Sequence, residues 1–223
     1  DRNGILYCGG RREKSTSWWP VYLTAGGLKI GFMAYTDLSF NHGSDNKVDA
    51  DLSNLRRQVS AADGKCDLLV VSFHWGEEYQ RMPTERQRRV ARAAIDSGAD
   101  LVLGHHPHVL EGVTAYGGAP IIYSMGNFVF DQAPGERMES AIFELRYTEG
   151  QGWELTATPV VISRTRFGPE YPSPDDACRI ARRIVNMSAL LGSYPELLPD
   201  NRVRMIVKRC IVVSTGHSNR RSW

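Results

Sequence analysis

The first half of the chain is organised in apolar and mixed blocks that predict strands and helices in turn. Apolar runs at 28–36, 67–73 and 101–103 predict strands, and the second run is continuous enough to be buried on both faces of a sheet. Residues 51–62 and 84–98 instead carry apolar side chains at helical spacing. This alternation predicts parallel βαβ units with right-handed crossovers.

The second predicted helix has the clearest end signals. Thr84 and Gln87 have the spacing of a capping box, and Gly98 follows the last apolar residue of the helical pattern. The arginines between residues 86 and 92 are predicted to form the solvated face of this helix.

The second half of the chain has a different pattern, in which strands are joined by glycine-rich turns and antiparallel pairing is expected. Predicted strands lie at 109–116, 120–123, 140–147 and 153–163. A last helix is predicted to begin at Ser173-Pro174, a cap followed by proline in the first turn, and to end at Gly192.

Composition narrows the class of protein. The chain has 223 residues, of which 42% are hydrophobic, so it can bury a sizeable core. Its net charge of +2 argues against a dedicated nucleic-acid-binding protein, and no apolar run is long enough for a membrane helix. The four cysteines include no CxxC pair, which argues against a zinc knuckle and a thioredoxin-like site, and four cysteines in 223 residues are too few for a disulfide scaffold.

Candidate chemistry follows the ends of two predicted strands. His74 comes directly after strand 67–73, and His105, His106 and His108 come directly after strand 101–103. Ligands of open parallel sheets bind at the carboxyl ends of the strands. We therefore expect the side chain of His74 to lie within about 8 Å of at least one later histidine, since adjacent strands are about 4.8 Å apart.

These residue types predict a divalent-metal or phosphate site. Imidazole and carboxylate ligands suit Zn, Mn or Fe, and no cysteine is near. Gly104 is expected to let the backbone turn sharply, and Pro107 to fix the loop between His106 and His108. The alternative is that the histidines are ordinary residues of surface loops.

Three strings resemble one known family. Residues 73–79 read FHWGEEY, residues 104–109 read GHHPHV, and residues 123–131 read YSMGNFVFD. In this order they resemble the CapA (PGA_cap) family of poly-γ-glutamate capsule synthesis. That resemblance implies an α/β fold of the calcineurin-like metallophosphatase type, a sandwich of two β-sheets flanked by helices. It also implies two divalent metal ions (Mn, Zn or Fe) in the complete protein.

The resemblance assigns candidate roles residue by residue. His74 corresponds to a single-histidine motif, and residues 104–108 correspond to a paired-histidine motif with one extra residue. The metal ligands are thus expected among His74, His105, His106 and His108, with the choice among the last three left open. The candidate catalytic residues are His74, Glu78 and His105.

Three further residues are candidates for outer-shell or substrate contacts. Asp37 follows strand 28–36 at the same sheet edge, while Asn127 and Asp131 follow strand 120–123. Asn127 and Asp131 are equally well explained as turn residues.

The resemblance covers only the later part of the family's pattern. Residues 1–207 are expected to form one domain that lacks its N-terminal part, and 208–223 a tail. The motifs with Asp, Gly-Asp and Asn-His are expected in the missing segment, which would also carry any membrane anchor. Asn41-His42 comes too late in the order to replace the last of these and is interpreted as a loop.

The leading functional expectation is a metal-dependent hydrolase acting on a phosphoester in connection with capsule synthesis. The alternative is a non-catalytic subunit of a polyglutamate synthesis or export assembly. The expected partners are an anionic substrate, either a phosphoester or polyglutamate, and other capsule-synthesis subunits. Neither nucleic acid nor a membrane segment of this chain is expected.

Overall fold

A computed structural model of the protein describes residues 4–9, 20–38, 48, 51–148 and 150–208. Asn41, His42 and the predicted tail beyond Lys208 lie outside the described residues.

The first sheet contains the predicted parallel strands. Its members in chain order are β1 (Val21–Ala25), β2 (Leu28–Thr36), β3 (Leu68–His74), β4 (Leu101–His105), β5 (Val113–Tyr116) and β6 (Ala119–Ile122). The spatial order is β1-β2-β3-β4-β6-β5, with parallel pairing from β2 through β3 and β4 to β6. The prediction of parallel βαβ units is confirmed.

Two predictions for this sheet are wrong in part. Strand β5 begins at Val113, because residues 109–112 form a loop that leaves the sheet edge. Strand β6 pairs antiparallel with β5 but parallel with β4, so the parallel sheet extends beyond the first half of the chain.

The second sheet is antiparallel throughout. It contains β7 (Glu139–Thr148), β8 (Gly152–Ile162), β9 (Pro169–Glu170), β10 (Glu196–Leu197) and β11 (Val203–Val207). Its order is β10-β11-β8-β7, with β9 paired to β8. Together the two sheets confirm the predicted mixed α/β class with two β-sheets.

In the described part of the chain, the α-helices that cover the sheets are α1 (Ser53–Asp63), α2 (Glu85–Asp96) and α3 (Pro174–Leu190). The capping box of Thr84 and Gln87 is present at the start of α2. Leu52 precedes α1 with a φ of 65° instead of joining its first turn. No helix in the described ranges has the length and apolar character needed to span a membrane.

The core has two parts that share the first sheet. One part packs α1 and α2 against one face of the sheet, through residues such as Val59, Val71 and Val90. The other joins the opposite face to the second sheet and α3, through residues such as Ile122 and Leu155. Because both faces of the first sheet are covered, its carboxyl edge remains as the place where polar side chains collect.

Candidate metal centre

The two histidine-bearing segments lie side by side at this edge. His74 and His105 are in register across β3 and β4, the last aligned pair of these parallel strands. Beyond them, the Trp75 amide donates to the His105 carbonyl at 3.1 Å, and the Tyr79 amide donates to the Pro107 carbonyl at 2.8 Å. Backbone hydrogen bonds therefore fix the loop after β3 to the loop after β4.

A buried tryptophan anchors this arrangement. The Trp75 ring is fully buried and stacks on Phe73 with a centroid distance of 4.6 Å. Its indole N–H donates to the Tyr123 carbonyl at 2.9 Å, which links the loop to the end of β6.

The sequence-based role of Gly104 is wrong. Gly104 lies inside β4, outside the positive-φ region, and is needed for space: a Cβ there would lie 1.8 Å from the Tyr123 carbonyl oxygen. The sharp turns are made by His106 and His108 themselves, whose φ angles are 100° and 59°. Such backbone conformations are costly for non-glycine residues and concentrate at functional sites.

Three side chains bring their donor atoms together in the loops. One carboxylate oxygen of Glu78 and one ring nitrogen each of His106 and His108 all lie within 4.8 Å of one another. The His74 ring adjoins this group, with its centroid 4.8 Å from that of His106. The expected approach of His74 to a later histidine is confirmed.

His105 is placed differently from its two neighbours. It is half-buried at the end of β4 beside His74, and it does not belong to the group formed by Glu78, His106 and His108. The structure therefore brings together the two histidines that are separated by one residue.

The lowered pKa values of His74, His105 and His106 favour the neutral imidazole. Partial burial lowers the pKa of His74, and the nearby His106, His105 and His108 lower it further. Burial also lowers the pKa of His105 and of His106, although the Glu78 carboxylate opposes this at His106. Neutral imidazoles keep a nitrogen lone pair for a metal or a proton.

Asn127 fixes the orientation of the His108 ring. Its side-chain amide donates to the Arg137 carbonyl at 2.9 Å and to the His108 carbonyl at 3.3 Å. Its oxygen therefore faces His108 Nδ1 at 2.7 Å and accepts a hydrogen bond from the Nδ1–H group. In the neutral imidazole this leaves the free lone pair on His108 Nε2, as is usual for a metal-binding histidine supported by a second residue.

The side chains of the other two outer candidates are not hydrogen-bonded to the histidines in the described residues, although the Asp37 amide donates to the His74 carbonyl at 2.9 Å. The Asp37 carboxylate, 9% exposed, accepts two hydrogen bonds of 2.9 Å from Arg86 of α2. Arg86 is thus part of a half-buried ion pair, contrary to the predicted solvated face. Asp131 is exposed, and within the described ranges it forms no hydrogen bond or ion pair.

A buried acid lies below the loop that follows His108. Glu111 is 1% exposed and accepts a hydrogen bond from Gln87 Nε2 at 3.1 Å. Its other oxygen has no partner among the described residues. Burial raises the pKa of Glu111 to about 8, against the opposing effect of the Gln87 hydrogen bond. At neutral pH this carboxyl group is therefore protonated.

Glu111 should make the stability of the protein fall with rising pH. In the folded state the Glu111 carboxyl keeps its proton up to about pH 8. In the unfolded state the same carboxyl has the ordinary pKa of 4.5 and loses its proton at lower pH. The free energy of unfolding therefore decreases between these two values and then levels off. Glu111→Gln stays neutral, so its stability relative to the parent should rise by roughly 4 kcal/mol between pH 5 and pH 8.5.

Urea unfolding at pH 5 and pH 8.5 checks this expectation. The advantage of Glu111→Gln should grow between the two pH values. Glu139→Gln is a control that also removes a buried carboxylate, but one paired with Arg179 and Arg183. It should destabilise the protein at both pH values. An equal effect of Glu111→Gln at pH 5 and 8.5 would contradict the assignment.

Residues 1–132 match the family described as bacterial capsule synthesis protein PGA_cap. This match covers more than half of the chain and includes His74 and the segments at 104–108 and 123–131. The chain belongs to the PGA_cap family.

Two PGA_cap relatives show how much of the longer proteins this chain represents. It is 37% identical to the PGA biosynthesis protein CapA of Bacillus subtilis, over 66% of this chain and 40% of that protein. It is 36% identical to the capsule biosynthesis protein CapA of Bacillus anthracis, over 74% of this chain and 42% of that protein. The chain thus spans about two fifths of these relatives.

The similarity to one solved structure is weaker than that to these two relatives. A novel phosphatase from Mycoplasma pneumoniae aligns with 68% of this chain and 54% of its own, at 15% identity and a TM-score of 0.40.

Several contact residues of this PGA_cap site carry no pattern in the sequence. Arg137 contacts Tyr79 and is held by Asn127, but a single arginine in a turn resembles any surface arginine. Glu111 was missed because its segment alternates like a strand. The one feature of the sequence that could have indicated its burial is the position of this charged residue between the apolar Leu110 and Val113.

Proposed function

We propose that Glu78, His106 and His108, with His74 beside them, bind a divalent metal ion, and that the complete protein uses a pair of such ions. The proposal rests on one observation, the three donor atoms within 4.8 Å of one another. Ligand atoms on one ion are at most about 4 Å apart, given bonds of about 2 Å. Small side-chain rotations are therefore enough to form the site.

The chemical nature of the donors supports the same conclusion. Two imidazole nitrogens and one carboxylate oxygen suit Zn, Mn or Fe. The pKa of His106 is lowered, and the hydrogen bond of His108 Nδ1 to Asn127 leaves Nε2 as the nitrogen available to an ion. Metal binding at His106 therefore displaces few protons near neutral pH.

We further propose that the complete protein hydrolyses a phosphoester in connection with poly-γ-glutamate capsule synthesis. When bound, a divalent ion would polarise the phosphoryl oxygen and lower the pKa of a coordinated water molecule. His74 and His105, whose pKa values are lowered, are neutral near pH 7 and can accept a proton.

Metal titration followed by an activity assay tests the proposal. The purified metal-free chain is titrated with Mn²⁺ and Zn²⁺, and bound metal is measured by elemental analysis. Hydrolysis of an aryl phosphate is then followed for this chain and for the complete protein. We expect stoichiometric metal in both and turnover in the complete protein. A chain that binds no more metal than His106→Ala would overturn the metal site.

Metal binding without turnover would instead favour the non-catalytic role in polyglutamate synthesis or export. The names of the two Bacillus relatives, which refer to biosynthesis of the polymer or capsule, keep this role as the second candidate.

A further inference from the structure

The 3-10 turn Glu136–Met138 lies beside the candidate metal centre. The carbonyl of Arg137 accepts a hydrogen bond from Asn127 at 2.9 Å, and Asn127 contacts His108 Nδ1 at 2.7 Å. A single side chain therefore connects the backbone of Arg137 to the imidazole of His108.

The guanidinium of Arg137 is held over an aromatic ring next to the same histidine. Its central carbon is 4.7 Å from the centroid of Tyr79, and the Tyr79 ring is 6.2 Å from that of His108. Tyr79 has a φ of 65°, and its amide donates to Pro107. Stacking on a ring fixes the plane of a guanidinium and leaves its edge free to donate hydrogen bonds.

Arg137 differs from neighbouring arginines in its lack of a carboxylate partner. Arg81 binds Glu136 at 2.5 Å and Arg183 binds it at 3.3 Å, so the adjacent acid is already engaged. Arg183 also binds Glu139. Within the described part of the chain, Arg137 forms no ion pair, although its side chain is half-buried.

We propose that Arg137, positioned by Tyr79, binds an oxyanion group of the ligand at the candidate metal centre. The partner is a phosphate or carboxylate group, since both offer two oxygens to the edge of a guanidinium. This inference rests on the proposed function, because the same ligand would occupy the metal centre. It adds to that function a specificity-determining residue, Arg137, and a class of ligand, oxyanions.

The experiment measures binding of inorganic phosphate and of glutarate, a simple dicarboxylate, by calorimetry. The parent chain, Arg137→Gln and Arg137→Lys are compared with and without Mn²⁺. Arg182→Gln is the matched control, because Arg182 is an exposed arginine of α3, away from the candidate centre, that forms no ion pair in the described ranges. Metal content and urea midpoint are measured for each variant.

We expect Arg137→Gln to weaken binding of at least one anion about tenfold or more, with unchanged metal content and fold. Arg137→Lys should recover part of the affinity because it keeps the charge but loses the two-pronged contact. Arg182→Gln should bind both anions like the parent. The anion that is affected more identifies the ligand as a phosphate or a carboxylate.

Several outcomes would overturn the inference. One is unchanged affinity of Arg137→Gln for both anions, and another is a parent that binds neither. A third is loss of metal together with anion in Arg137→Gln, which would mean that Arg137 only supports His108. If the parent binds no metal, the proposed function fails, whereas Arg137-dependent anion binding by the metal-free chain would still support this inference.

Discussion

Gly104→Ala is expected to lower the free energy of unfolding by about 3–5 kcal/mol. The new methyl group would lie 1.8 Å from the Tyr123 carbonyl oxygen and 2.6 Å from the Trp75 indole nitrogen. Neither group can move freely, since the two are hydrogen-bonded to each other at 2.9 Å. The substitution must therefore separate β4 from the end of β6 and break a buried hydrogen bond.

Urea unfolding of the metal-free chain measures this effect, with Gly64→Ala as the matched control. Gly64 follows α1 with a φ of −64°, and a Cβ there meets no atom within 4 Å. Alanine at this position should change stability by less than about 0.5 kcal/mol. If Gly104→Ala unfolds at nearly the parent's midpoint, the close approach of the two strands is wrong.

His106→Ala is expected to weaken metal binding about 100-fold or more and to leave the metal-free fold nearly intact. His106 is half-buried and lies between His74 and His108, so its loss removes a donor from the centre of the group. Alanine meets the same backbone constraint as histidine at a φ of 100°.

The neighbouring residue provides the control for this second prediction. His105→Ala removes the same side chain one position earlier, outside the group of donor atoms, and should retain most of the metal affinity. Val71→Ala, fully buried in β3, should cost about 1–3 kcal/mol and leave metal binding unchanged. Equal loss of metal in His105→Ala and His106→Ala would contradict the proposed pairing of His106 with His108.

The convergence of the histidines could be predicted from the sequence because parallel strands constrain it strongly. Two buried strands joined by one helix must end at the same edge, so His74 and the segment after β4 had to meet. The capping box of Thr84 and Gln87 was equally accessible, since it depends on residues three apart.

Contacts between loops that are far apart in the chain could not be predicted from the sequence in this way. Glycine is required at position 104 because the carbonyl of Tyr123, nineteen positions later, leaves no space for a Cβ atom. No local pattern in the sequence reveals this contact. The contact of Asn127 with His108 depends on a turn through Gly126, whose φ is 72°. The strand predicted at 109–116 begins only at Val113, because Val109 and Leu110 are apolar residues buried in a loop and their pattern alone does not distinguish this from a strand.

The loops after β3 and β4 are joined to each other by main-chain hydrogen bonds, which any residue except proline can donate. Exposed positions such as Glu77 therefore contribute little to this connection and are open to substitution. Related proteins can diverge in the ligands that they accept while conserving the placement of the histidines. Evolution of new specificity on this scaffold should thus proceed through the rim of the site, at little cost in folding.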